Sequence, residues 1–123
     1  MGGPLTGLKI LDFTTLLPGP YATMTLADLG AEVVRVVSGS RPDPTAFLPP
    51  FLPGTGLSST MAWLGRGKRC LALNLKAPRA ADIVRRLIRD YDIMIEQFRP
   101  GVMAKLGLDY ASLKAANPAL IYC

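Results

Sequence analysis

Leu8-Lys9-Ile10-Leu11-Asp12-Phe13, then Pro18-Gly19-Pro20, then Glu32-Val33-Val34-Arg35-Val36-Val37, decide the fold of this 123-residue chain. The first run is short and apolar and reads as a strand. Thr14 to Leu17 is a turn. Proline is preorganised for the first turn of a helix, where its missing N–H costs nothing, so Pro18-Gly19-Pro20 opens a helix. That helix is expected over Tyr21 to Leu29, with Gly30 ending it. Ala22, Leu26 and Leu29 share one face, Met24 and Ala27 cover another, and Asp28 is the only charge, which predicts a largely buried helix. The last run is β-branched and reads as a second strand. Strand, helix and strand within thirty residues make a βαβ unit, whose two strands are parallel.

Working outward, Leu71 to Leu75 reads as a third strand. Pro78 starts a helix with Ala80, Ile83, Val84, Leu87, Ile88 and Tyr91 on one stripe. Arg79, Arg85, Arg86 and Arg89 line its other side as a solvated face, and Asp82 is spaced to pair with Arg85 or Arg86. Asp92 to Phe98 is a fourth strand. Val102 to Leu106 is a short helix stopped by Gly107. Asp109 caps a further helix over Tyr110 to Ala116. Asn117-Pro118 breaks it, and Ala119 to Cys123 begins a fifth strand. A chain that stops in an apolar strand reads as truncated. The expectation is therefore an α/β fold, an open parallel sheet with flanking helices.

Residues 38–63 stand apart, with Pro42, Pro44, Pro49, Pro50 and Pro53 among Gly39, Gly54 and Gly56. No periodic pattern runs through this long loop, and long loops in compact domains are usually functional or mobile. Phe47, Leu48, Phe51 and Leu52 suggest that it packs against something. Ser59 to Leu64 adds a turn of helix.

Composition narrows the function. Half of the residues are hydrophobic and the net charge is +5, so the chain is not disordered and leans weakly towards an anionic partner. The arginines are scattered with few aromatics beside them, which argues against nucleic acid. No apolar run is long enough for a bilayer, and no signal peptide pattern opens the chain, so no membrane and a cytoplasmic location are expected. Cys70 and Cys123 are not spaced as a metal site and read as small buried hydrophobes, and no metal is expected. There is no histidine. A general base would have to be Asp, Glu, Lys, Tyr or Cys, or lie outside this chain. Asp12 and Glu96 sit in strands and read as structural.

In an open parallel sheet, ligands bind beyond the carboxyl ends of the strands. Those ends carry Thr14 to Pro20, Ser38 to Arg41, Asn74-Leu75-Lys76, and Gln97 to Gly101. The hinge Gly65-Arg66-Gly67-Lys68-Arg69 offers three cations, suited to phosphate, with a solvated basic turn as the competing reading. It enters the third strand, so it starts at the opposite edge unless the long loop folds over. Gly65-Arg66-Gly67 is neither a dinucleotide fingerprint nor a P-loop.

Leu11-Asp12-Phe13 through Pro18-Gly19-Pro20-Tyr21, and Leu26-Ala27-Asp28-Leu29-Gly30-Ala31-Glu32-Val33-Val34-Arg35-Val36, resemble the opening of family III CoA-transferases. Leu64 to Arg69 with Leu73-Asn74-Leu75-Lys76, Phe98 to Met103 through Leu106-Gly107, and Asn117-Pro118 with Leu120-Ile121-Tyr122 continue the resemblance over nearly the whole chain. It implies the first third or less of such an enzyme, with residues 1–123 as the N-terminal portion of a Rossmann-like large CoA-binding domain. It implies coenzyme A carried as acyl-CoA, a carboxylic acid as second substrate, and a homodimer of interlocked chains. In the transferases an aspartate forms anhydride and thioester intermediates; in the related α-methylacyl-CoA racemase a histidine and an aspartate move the α-proton. The resemblance puts these catalytic groups beyond Cys123, which leaves no catalytic residue in this chain and makes it inactive alone. A non-catalytic CoA-binding or assembly module is the reading from another class. By the same resemblance, Arg41, Arg66, Lys68, Arg69 and Arg99 match the basic positions that meet CoA. Leu16, Leu17 and Pro18 match the turn near the thioester. Formyl-CoA transferase has glutamine where Leu17 stands, a departure that argues against oxalate and formyl chemistry.

Overall fold

The computed structural model describes residues 2–123. Five strands form one sheet: β1 (Lys9–Asp12), β2 (Glu32–Val37), β3 (Lys68–Ala72), β4 (Ile93–Ile95) and β5 (Ile121–Tyr122). Their order is β3-β2-β1-β4-β5, and every neighbouring pair is parallel. The expected α/β parallel sheet is therefore present. Because the chain steps from β1 out to β3 and then returns past β1 to β4, the connections leave the sheet in opposite directions between β1 and β4. A crevice opens at such a switch point.

The helices are α1 (Pro18–Asp28), α2 (Ser59–Gly65), α3 (Ala80–Leu87), α4 (Val102–Lys105) and α5 (Tyr110–Leu113). One face of the sheet packs Leu11, Phe13, Val36 and Met94 against Val84 and Ile88, Met103 of α4, Leu108, and Leu113 of α5. On the opposite face, Ile10, Ala31 and Val33 meet Leu26 and Ala27 of α1. Neighbours in a parallel register point to the same face, so Ile10, Val33 and Lys68 form one row, and Asp12, Arg35 and Cys70 the next, on the α1 side.

Several expectations need correction. α1 begins at Pro18 and buries Pro20, Thr23 and Met24, while Ala22 and Leu29 face outward. The helix is less buried than its apolar content predicts: Tyr21, Ala22 and Leu29 lie on its outer side, while the polar Thr23 takes an inward position against the charged groups of the sheet. Gly19 is required at its start: a Cβ there would lie 2.3 Å from Thr14 Cβ. β3 starts three residues earlier than expected, so Lys68 and Arg69 are strand residues. β4 and β5 are shorter than expected, and α5 ends at Leu113, with Asp109 accepting from the Ser112 hydroxyl instead of capping the helix backbone.

The long loop contains a 3-10 turn, Pro44–Phe47, started by Asp43, whose carboxylate accepts from Thr45 N–H at 3.0 Å. Its apolar side chains do not pack as expected: Phe47 is 66% exposed, and Leu48, Phe51 and Leu52 are exposed too. Cys70 and Cys123 are exposed thiols instead of buried ones. Cys70 belongs to β3, an edge strand with no neighbour on one side. On α3, Asp82 pairs with Arg85 at 3.1 Å as its spacing predicts, but Arg85 also donates to Gly107 O at 3.0 Å. It therefore ties α3 to the turn after α4 and is not simply part of a solvated face.

Candidate functional site

The carboxyl ends of the strands surround a cleft of about 1520 Å³. Thr15 and Leu16 line it from the turn after β1, Ser38 to Pro44 from the long loop, Leu73 to Lys76 from beyond β3, and Gln97 to Arg99 from beyond β4. Gln97 Nε2 donates to Thr15 Oγ1 at 3.1 Å, joining the turns after β1 and β4 across the switch point. Arg41, Lys76 and Arg99 bring three cations to this one opening, all exposed. Among the described residues none of the three has an ion-pair partner. Phe13, Phe98, Val102 and Leu106 provide apolar wall beside them. Free guanidinium and ammonium groups over an apolar wall suit a ligand that is anionic at one end and uncharged at the other.

Arg41, Arg99 and Leu16, three of the residues predicted from sequence, thus meet in one cleft. Leu17 and Pro18 lie just outside it, at the start of α1. Arg66, Lys68 and Arg69 do not reach it. Arg66 forms a two-pronged pair with Asp28 through Nε at 3.1 Å and a terminal nitrogen at 2.6 Å, and its guanidinium lies 5.9 Å from the centre of the Trp63 ring. That pairing raises the Arg66 pKa and holds the Asp28 carboxyl below its usual range. Arg69 pairs with Glu32 on the surface. The hinge starts at the amino-terminal edge of the sheet, and the long loop does not carry it over.

Lys68 is turned inward. Its side chain is 1% exposed and that of Asp12, its partner at 3.4 Å, is 0% exposed. The ammonium also donates to Thr23 Oγ1 at 2.6 Å and to Pro20 O at 2.9 Å. Thr23 in turn donates to Asp12 Oδ2 at 2.5 Å, while Thr14 supplies its N–H at 2.8 Å and its hydroxyl at 2.5 Å to Oδ1. Every oxygen of Asp12 and every proton of Lys68 has a partner, the condition under which a buried charge pair is tolerated. Burial pushes the Lys68 pKa down, against the upward pull of Asp12.

A second buried pair, Arg35 with Asp43, lies at the cleft itself; the two residues are 5% and 8% exposed. Arg35 also donates to Met61 Sδ at 3.1 Å, and its Nε is buried without an acceptor among the described residues. Asp43 further accepts from the N–H of Leu16 at 3.1 Å. Leu16 has φ of 64°, the left-handed region that leucine rarely occupies.

Sequence reasoning placed Lys76 at a carboxyl end of the sheet without singling it out as a site residue, and it missed Arg35 and Asp43 as cleft residues. For Arg35 and Asp43 no signal existed: one is a strand residue and the other sits between prolines.

The family model that matches this chain is CoA-transferase family III, over residues 5–123. Succinate--glutarate CoA-transferase of Agrobacterium fabrum is 42% identical over 98% of this chain and 31% of its own length. Human alpha-methylacyl-CoA racemase is 44% identical over 96% of this chain and 27% of its own length. A crystal structure of a CAIB/BAIF family protein from Brucella suis superposes with a TM-score of 0.88 and 40% identity, covering 100% of this chain and 33% of that one. This chain spans about a third of the length of these relatives.

Proposed function

This chain belongs to CoA-transferase family III, and from that premise we propose that its cleft receives the CoA part of an acyl-CoA. The observation that carries the reading is the convergence of Arg41, Lys76 and Arg99, unpaired among the described residues, on one apolar-walled opening at the carboxyl ends of the strands. CoA is anionic at its nucleotide end and uncharged along its pantetheine arm, which matches those two surfaces. Leu16 lines the same opening from the turn after β1, Leu17 and Pro18 follow it just outside, and all three are assigned to the thioester end. Arg66 and Arg69, paired on the surface, are assigned at most an outer role, and Lys68 is assigned to the interior.

For the whole protein we propose CoA transfer between carboxylic acids, through an aspartyl anhydride and an aspartyl-CoA thioester, by a homodimer of interlinked chains. The family resemblance assigns the reacting aspartate to polypeptide outside this chain, and the buried pairing of Asp12 with Lys68 and of Asp43 with Arg35 is consistent with that assignment. Racemisation at the acyl α-carbon is the second reading, favoured by the 44% identity to a racemase.

Thermal unfolding with and without CoA tests the binding claim. Saturating CoA should raise Tm by several degrees, since ligand at 100 times Kd adds about 2.7 kcal/mol to stability. An unchanged Tm, with no heat on titration, overturns it. In the whole protein, CoA exchange from succinyl-CoA to a second dicarboxylic acid supports transfer. Deuterium uptake at the α-carbon of a 2-methylacyl-CoA, without exchange, supports the racemase reading instead.

A further inference from the structure

The two walls of the cleft nearest its cations are separate pieces of chain: the turn at Thr15 and Leu16, and the loop from Ser40 to Ala46. Among the described residues a single hydrogen bond joins them, from Leu16 N–H to Asp43 Oδ2. We infer that Asp43 is a positioning residue that sets the width of the cleft, with Arg35 as its anchor in the sheet. The inference rests on the reading of the cleft as a CoA site.

Asp43 suits the role because its two oxygens serve different neighbours. Oδ1 accepts from Thr45 N–H at 3.0 Å and from the Thr45 hydroxyl at 2.8 Å, which shapes the loop itself. Oδ2 accepts from Arg35, fixed in β2, and from Leu16, fixed in the opposite wall. The carboxylate thus ties loop, sheet and turn at one point. Arg41 is two residues away, so its guanidinium is carried by a backbone that Asp43 holds. Leu16 has an unfavourable positive φ, and such conformations persist where surrounding contacts hold them. Its bond to Asp43 is the contact on its N–H. A carboxylate this deeply buried would be replaceable by apolar packing if it served stability alone.

The test compares Asp43→Asn with the double variant Asp43→Asn/Arg35→Gln. The single variant leaves Arg35 buried without its counter-charge and is expected to unfold more easily. The double variant removes both charges and should recover most of the melting temperature. If Asp43 positions the walls, the double variant still loses protection of the Leu16 and Thr45 amides in hydrogen exchange, while Thr14 N–H, bonded to Asp12, keeps its own. Its Kd for CoA rises roughly tenfold or more, as small misplacements of binding groups do. A double variant with wild-type Kd, or with Leu16 exchange unchanged, overturns the inference. If the wild-type chain itself does not bind CoA, the reading of the cleft falls, and the claim that Asp43 holds the two walls is decided by the exchange data.

Discussion

Replacing Lys68 by methionine separates an interior lysine from a ligand-binding one. The substitution keeps an unbranched side chain one atom shorter and removes its charge. Asp12, with a fully buried side chain, then loses its cation at 3.4 Å; Pro20 O loses its donor at 2.9 Å and Thr23 Oγ1 its donor at 2.6 Å. Breaking a buried pair by removing one partner costs about 3–5 kcal/mol, because the remaining charge is stranded. A domain of this size has about 5–15 kcal/mol in total. With a urea slope of about 2 kcal/mol/M, the unfolding midpoint should fall by about 2 M at pH 7. Urea titration followed by circular dichroism reads it. Asp12→Asn/Lys68→Met should recover more than half of the loss, since no charge is then left alone. A Lys68→Met loss below about 1 kcal/mol, together with a tenfold or larger loss of CoA affinity, would refute the reasoning and restore Lys68 to the ligand site.

Arg41→Gln and Arg99→Gln should each weaken CoA binding by about 1.5–3 kcal/mol, the usual value of a hydrogen bond to a charged group, while moving stability by less than about 0.5 kcal/mol; calorimetric titration and thermal unfolding together check this. Tyr122 gives an alkaline prediction. Burial, with Glu96 and Asp109 nearby, pushes its phenol up to about 12 from an ordinary 10.0. Between those values the unfolded chain gives up a proton that the folded chain keeps, so this contribution to stability is fully present below pH 10 and is lost as pH rises through 12. Unfolding free energies measured across that window should decline in the wild type and decline less in Tyr122→Phe.

The fold was largely readable because its signals are local. Proline in the first turn of α1 and before α3, glycine after α1 and α4, and short β-branched runs between them mark the elements within a few residues. What could not be read depends on pairs far apart in the chain. Lys68 stands in Arg66-Gly67-Lys68-Arg69, whose spacing describes a solvated turn. Its burial is decided by Asp12, 56 positions earlier, and by Thr23, 45 positions earlier. Asp43 likewise meets Arg35 and Leu16 only because the loop folds back over the sheet. Arg41 and Arg99 could be placed at the cleft from sequence because each lies a few residues beyond a strand end, at the carboxyl edge of the sheet. Cys70 was misjudged because nothing in its neighbourhood announces that β3 lies at the edge.

Thr23 on the inner side of α1 has a consequence for how that helix can vary. An apolar helix resting on an apolar sheet can shift or rotate slightly as its side chains change size. A hydroxyl that must reach Asp12 while accepting from Lys68 allows one azimuth and one height, so α1 can be altered on its outer surface but not re-seated. The first turn of the helix, beside the mouth of the cleft, inherits that fixed placement.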